Sequence, residues 1–259
     1  MENPMQELDR LRDLADPERA ARASVRHKSG RETLGVTPAQ IEALATEWRG
    51  ERDLEARIAL AEALWDSDVH EARLAAARLL VQARMQPDDG AWAAILDWAP
   101  QIDGAEIADA VMSAAARRLV ADPARLDQIV PWARSRNPWL RRGLLMATLP
   151  WAKMNNPKPG DLEIREAVLA LMLRLASDRH GAVRQAAETW LRDLAKRDPA
   201  RVAAWREAHD AMAVVEAELP EEDPIDDVPQ DASEATSPED LAPDDQPPAD
   251  LPPEGDQER

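Results

Sequence analysis

Apolar residues recur every three or four positions along most of the chain, and no stretch alternates with the period of two that marks a strand. Residues 5–15 place Met5, Leu8, Leu11 and Leu14 at a spacing of three. The same periodicity predicts helices over 38–49, 53–65, 69–85, 90–99, 105–121, 125–134, 138–149, 161–177, 181–197 and 199–217. Helix starts are marked by a capping residue followed by proline at Asp16-Pro17, Thr37-Pro38, Asp122-Pro123, Asn137-Pro138 and Asp198-Pro199. Asp68 with Glu71 reads as a capping box opening the 69–85 helix. This pattern predicts an all-α protein over 1–219. Helical pairs stacked as HEAT-like repeats, an α-α superhelix whose concave face would suit a long, curved ligand such as duplex DNA, are expected, with a globular bundle as the alternative.

From Pro220 the pattern stops. Residues 220–259 hold 15 of the 50 acids, nine of the 21 prolines and a single base, a net charge of −14 that leaves −4 on 1–219. Such a segment cannot bury enough apolar surface to offset its ordering entropy, and it is expected to be a disordered acidic tail. It would serve as a solubilising tail or, alternatively, as a DNA mimic lying against a basic groove. The near-neutral remainder can still carry a basic face.

Composition narrows the chemistry. The chain has no cysteine, hence neither a disulfide framework nor a thiolate metal site. It shows no signal-peptide layout and no apolar run long enough for a bilayer, and a cytoplasmic, nucleoid-associated location is expected. Nine tryptophans stand against no phenylalanine and no tyrosine, so Leu, Ala, Val, Met and Trp must fill the core. Residues 132–151 combine Trp132, Trp139 and Trp151 with Arg134, Arg136, Arg141 and Arg142. Trp139, Leu145, Met146 and Leu149 fall on one helical face, with Arg141 and Arg142 off it.

Familiar catalytic motifs are absent. His70-Glu71 opens like a zinc-protease motif, but position 74 is Leu. Asp66 and Asp68 begin like a calcium loop that Glu71 and Ala77 do not continue. There is no phosphate-binding glycine loop. The four histidines, His27, His70, His180 and His209, are scattered and suggest no metal site.

An ordered set of segments carries a resemblance. LWDSDVHEARLAAARLLVQAR (64–84), DGAEIAD (103–109), RRLVADPARLD (117–127), WARSRNPWLRR (132–142), TLPWAK (148–153) and WLRDLAKRDP (190–199) follow HK at 27–28 and LGV at 34–36. Together they resemble the AlkD-type DNA alkylation repair family of HEAT-like-repeat DNA glycosylases, over about residues 8–217. The resemblance implies excision of cationic 3- and 7-alkylpurines from double-stranded DNA, by a monomer without cofactor or metal. It implies Asp109 as the catalytic carboxylate. Arg141 and Arg142 match the segment that lines the DNA groove, and Arg134, Lys153, Arg184, Arg192 and Lys196 are expected as further phosphate contacts. His70 and Glu71 match as structural residues. The family's aromatic positions are substituted: Ala105 and Thr189 stand where tryptophans are expected, Arg26 and Thr33 where tyrosines are, and Gly181 and Ala182 where an aromatic pair is usual. Trp190, beside Thr189, belongs to the core stripe. A catalytically weak DNA-binding protein and a protein-binding scaffold are therefore the competing expectations.

Overall fold

The computed structural model describes residues 4–27 and 30–218. The side chains of Met5 and Arg26, residue Lys28 and the acidic segment 220–259 lie outside the described residues. The chain divides into a unit Met1–Val215 and a second unit Glu216–Arg259. Among the described residues the α-helices are α1 (Pro4–Asp13), α2 (Pro17–His27), α3 (Pro38–Glu51), α4 (Leu54–Asp66), α5 (His70–Leu79), α6 (Asp89–Trp98), α7 (Ala105–Ala121), α8 (Leu126–Ile129), α9 (Pro138–Ala147), α10 (Leu149–Lys153), α11 (Pro159–Leu175), α12 (Gly181–Ala195) and α13 (Pro199–Glu218). Extended pairing among them is limited to one isolated bridge, Glu32 to Val69. No described helix is long and apolar enough to cross a membrane.

The helices form an all-α repeat. In one row α3, α5, α7, α9 and α12 pack each against the next. In the other, α4 packs on α5, α6 on α4 and α7, and α10 and α11 on α12. Hydrogen bonds between side chains and neighbouring layers recur at one sequence spacing. Leu34 N–H to Glu71, Trp65 to Gln101, Trp92 to Gln128 and Trp205 to the Leu169 carbonyl span 36 or 37 residues. Asn137 to the Ile102 carbonyl spans 35, and Arg141 to Asp178 spans 37. One structural period therefore underlies a chain whose sequence shows little self-similarity.

Tryptophan fills the core. Trp48, Trp65, Trp151 and Trp190 are fully buried, and Trp65 stacks on Trp98 with centroids 4.6 Å apart. Small residues let the rows approach: Ala72, Ala75 and Ala76 of α5 and Ala108, Ala114 and Ala115 of α7 are all buried.

Several helix boundaries differ from expectation, each for a local reason. The helix expected over 69–85 ends at Leu79, because the buried Arg118 takes up the carbonyls of Gln82 and Ala83 beyond it. The element expected over 125–134 breaks into 3-10 turns at 123–125 and 130–134 around α8, since Pro131 has no N–H to continue it. The helix expected over 138–149 ends at Ala147, and α10 restarts across Thr148 with Pro150 in its first turn. The capping box expected at Asp68 and Glu71 does not form. Val69 is the N-cap, and Asp68 adopts a left-handed φ of +54° while its carboxylate pairs with Arg31 and Arg73. Glu71 reaches back one repeat instead, accepting from Leu34 N–H at 2.9 Å and Gly35 N–H at 2.7 Å.

Candidate active site

Helix α7 carries the expected carboxylate on a stripe left open to solvent. Asp109, Ser113, Ala116 and Val120 follow one another at helical spacing, and Val120 is 47% exposed. The stripe borders two clefts. One, of about 560 Å³, lies toward α9 and α10, with Met112, Met146, Leu149 and Met154 in its walls and Arg117 and Lys153 on its polar side. The other, of about 370 Å³, lies toward α5, with Leu74, Val81 and Arg78. Asp109 and Ser113 line both. A third cleft, of about 330 Å³, continues past Glu106 to His27, His70 and Arg22.

Asp109 is held from α9. Arg142 donates to Asp109 Oδ1 through Nη2 at 2.6 Å and Nε at 3.2 Å. A third bond, from Nη1 to the Ala182 carbonyl at 3.3 Å, ties the same guanidinium to the start of α12. The close approach of α7 and α9 depends on Gly143, where an added Cβ would meet the Met112 thioether at 3.0 Å. One arginine thus joins three successive helices of the row at the carboxylate.

The neighbouring arginine behaves differently. Arg141, expected to line the DNA groove, is instead buried, at 7% exposure. Its Nε and Nη2 grip Asp178 at 2.6 and 2.8 Å, and its Nη1 donates to the carbonyls of Ser135 and Arg136. The reason is its partner: α12 packs on α9, and Asp178, in the loop before α12, draws the guanidinium in between them. The bond from Arg141 holds the Asp178 carboxyl below the usual carboxylate range.

The other expected cations are dispersed. Lys153 lines the larger cleft and lies 3.5 Å from Asp193, which also accepts from Lys196 at 2.6 Å. Arg184 is exposed and donates to the Asp178 carbonyl at 2.6 Å. Arg192 is exposed beside Thr189 Oγ1 at 3.3 Å. Arg134 lies in a separate cleft beside Arg136, Arg174 and Arg179. Ala105 is exposed one turn before Asp109, Thr189 is half-buried, and Thr33 bonds its hydroxyl to the Arg31 carbonyl. Trp190 is fully buried, as the core stripe requires. Trp139 meets His180 edge-on at 5.4 Å, and Trp151 bonds Asp161 at 3.2 Å. Met112 and Met146 were legible only as apolar positions of their helices, and Arg117 and Met154 were not singled out from sequence; what brings the four together is the packing of α7 beside α9 and α10.

Two of the histidines that look scattered in sequence come together. His27 and His70 stack with centroids 3.9 Å apart, and Glu106 Oε2 lies 3.3 Å from His70 Nε2 and 3.7 Å from His27 Nε2. These three form the one group among the described residues with donor atoms close enough to consider a metal ion. The rings are inclined by only 23°, so no point within bonding distance lies in both ring planes, as ligation by both would require. His70 Nδ1 is buried without a partner among the described residues, while Nε2 faces Glu106. Burial first, and His27 next, push the His70 pKa down. The arrangement suits a hydrogen-bonded support for the start of α7.

The comparisons bear on this geometry. Residues 8–216 match the family model described as DNA alkylation repair enzyme. The chain belongs to this family. Among solved structures it is similar to one described as a predicted DNA alkylation repair enzyme from Enterococcus faecalis, with a TM-score of 0.60 and 18% identity over 75% of this chain and 89% of that one. At that identity the likeness speaks for the fold. No curated protein matches the chain. As a DNA alkylation repair family member, the protein has a role in DNA repair, and Asp109 with its two clefts lies within the matched region.

Proposed function

We propose that the protein is a DNA glycosylase that hydrolyses the N-glycosidic bond of cationic 3- and 7-alkylpurines in duplex DNA. The observation that carries this reading is the position of Asp109, an accessible carboxylate at the junction of two clefts, oriented by Arg142. An alkylated purine cation leaves as a neutral base, so the bond can break with its electron pair going to the ring nitrogen and no proton donor required. Positive charge then develops on the deoxyribose, where a fixed carboxylate lowers the barrier. Water adds to the anomeric carbon and its proton passes to solvent by way of Asp109. Arg142, Lys153, Arg184, Arg192 and Lys196 supply cations for the phosphates, Arg142 while keeping its bonds to Asp109. The test is release of 3-methyladenine and 7-methylguanine from methylated duplex. Release that exceeds an Asp109→Asn control supports the reading; equal release refutes it.

Ala105 and Thr189 favour a second reading, a DNA-binding member of the family with feeble catalysis, because neither offers an aromatic ring to the sugar. Salt-sensitive duplex binding without base release, together with a strong gain on combining Ala105→Trp with Thr189→Trp, would select it.

A further inference from the structure

The loops that precede the helices of the Asp109 row lie at equivalent places in successive repeats, yet their charges are treated in opposite ways. Arg31, before α3, donates to Asp68, before α5, at 2.6 Å and to Asp103, before α7, at 3.0 Å. Arg73 adds a second cation to Asp68 at 2.9 Å. In these three loops charge is neutralised within the protein. The loops before α9 and α12, with the ends of the 3-10 turn 130–134 and of α11, instead surround a cleft of about 400 Å³ lined by Arg134, Ser135, Arg136, Arg174, Ser177 and Arg179. All four of these arginines are exposed, and none makes an ion pair or side-chain hydrogen bond among the described residues.

The cleft is built rather than incidental. Arg141, buried beneath it, donates to the carbonyls of Ser135 and Arg136 in one wall and to both oxygens of Asp178 in the other. Asp178 in turn accepts from the His180 N–H at 2.8 Å. The acid that lines the cleft is therefore already satisfied, and four cations face the space without compensation. Unpaired guanidinium groups repel one another, an arrangement that stabilises nothing in the free protein and suits an oxyanion ligand.

We infer that this arginine cleft is a phosphate-binding site that grips the duplex backbone beside the Asp109 site. The inference deepens the DNA-binding part of the proposed function. Guanidinium forks recognise phosphate oxygens bidentately, and the hydroxyls of Ser135 and Ser177 add donors. The placement fits a continuous strand. Asn137, next in the chain to Arg136 of the cleft, caps α9, and Arg142, five residues on, marks the Asp109 site. At about 1.5 Å per residue the two ends are separated by roughly 7–8 Å along the helix. That is about two nucleotide steps of roughly 3.4 Å each.

The test uses the full-length chain and a plain, unmethylated duplex, with affinity measured across a salt series. Because it reads binding alone, failure of base excision does not decide it. Arg174→Gln with Arg179→Gln should weaken binding about tenfold or more at physiological salt and lower the salt slope by nearly two. Arg84→Gln with Arg197→Gln changes net charge equally at residues that line none of these clefts and should have little effect. Unchanged affinity and slope in the cleft variant would overturn the inference, as would equal losses in the two variants. Polyglutamate displacing the duplex from the wild type but not from the cleft variant, at matched charge, would also overturn it, by assigning the cleft to an acidic polypeptide.

Discussion

Arg142 Nη2 donates to Asp109 Oδ1 at 2.6 Å across the gap between α9 and α7, with the arginine side chain 11% exposed and the aspartate side chain 48% exposed. A pair with one partner so open to water adds little to stability, under about 1 kcal/mol. Its effect is orientation: it fixes an accessible carboxylate over two clefts. Asp109→Asn should therefore leave the melting temperature within a few degrees of wild type. Single-turnover base release from methylated duplex should fall by about two orders of magnitude or more. A large stability loss with proportionate activity loss would instead make the pair structural.

The contact that allows this bond is the closeness of α7 and α9 at Gly143. A methyl there would come within 3.0 Å of both Sδ and Cε of Met112, a side chain 1% exposed in the core. Helix propensity alone favours Gly143→Ala by roughly 0.5–1 kcal/mol. Overpacking costs about 1–3 kcal/mol. A net destabilisation of about 1 kcal/mol is expected in denaturant titration. Thioether flexibility limits it, so a double-mutant cycle with Met112→Ala should show favourable coupling between the two substitutions.

Glu71 gives a third prediction. It is 2% exposed and its carboxylate accepts the backbone N–H groups of Leu34 and Gly35. Gly35 has φ +76°, and a Cβ there would collide with the Asp16 carbonyl at 2.4 Å, so this turn has a single workable backbone path. Glu71→Gln keeps the volume but turns one acceptor into a donor facing an N–H. The loss should be about 2 kcal/mol. Hydrogen exchange at the Leu34 and Gly35 amides should accelerate more than at α9. Equal acceleration throughout would mean global destabilisation without a local anchor.

Much of the fold was legible because its signals are local. The residues that start α3 and α9, Thr37 and Asn137, cap through their own side chains, and the period of 105–121 marks α7 to the residue. What was not legible depends on partners one repeat away. Glu71 looks like a cap in sequence, but its acceptors bind N–H groups 36 and 37 residues earlier. His27 and His70 meet only because the end of α2 and the start of α5 bring their rings together beside Glu106 of α7. Arg141 and Arg142 are adjacent and chemically identical, yet one is buried on Asp178 and the other points to Asp109. Periodicity can place both off the apolar stripe, but it cannot tell which side a second helix will cover. The arginine cleft is hidden for the same reason, since Arg136 and Arg179 belong to different loops.

The bond between Arg141 and Asp178 makes the last prediction, because both side chains are buried, at 8% and 10% exposure. Removing one partner of such a pair leaves a charge without its counterion in a poorly solvated place, at a cost of about 3–5 kcal/mol. Asp178→Asn should approach that loss at neutral pH. It should also alter the acid response. The Asp178 pKa is lowered, first by its bond from Arg141, so the folded state binds the proton less readily than the unfolded chain does. The resulting stability is complete above the unfolded carboxylate value of about 3.9 and is lost as pH falls through the lower folded value. Wild type and Asp178→Asn should therefore differ by a constant amount from neutral pH down to about 5, and converge below 4. Unfolding free energies measured across that range test it. Two parallel curves down to pH 2 would show that the Asp178 carboxyl takes up its proton equally in the folded and unfolded chains, so that its bond from Arg141 contributes nothing to the fold.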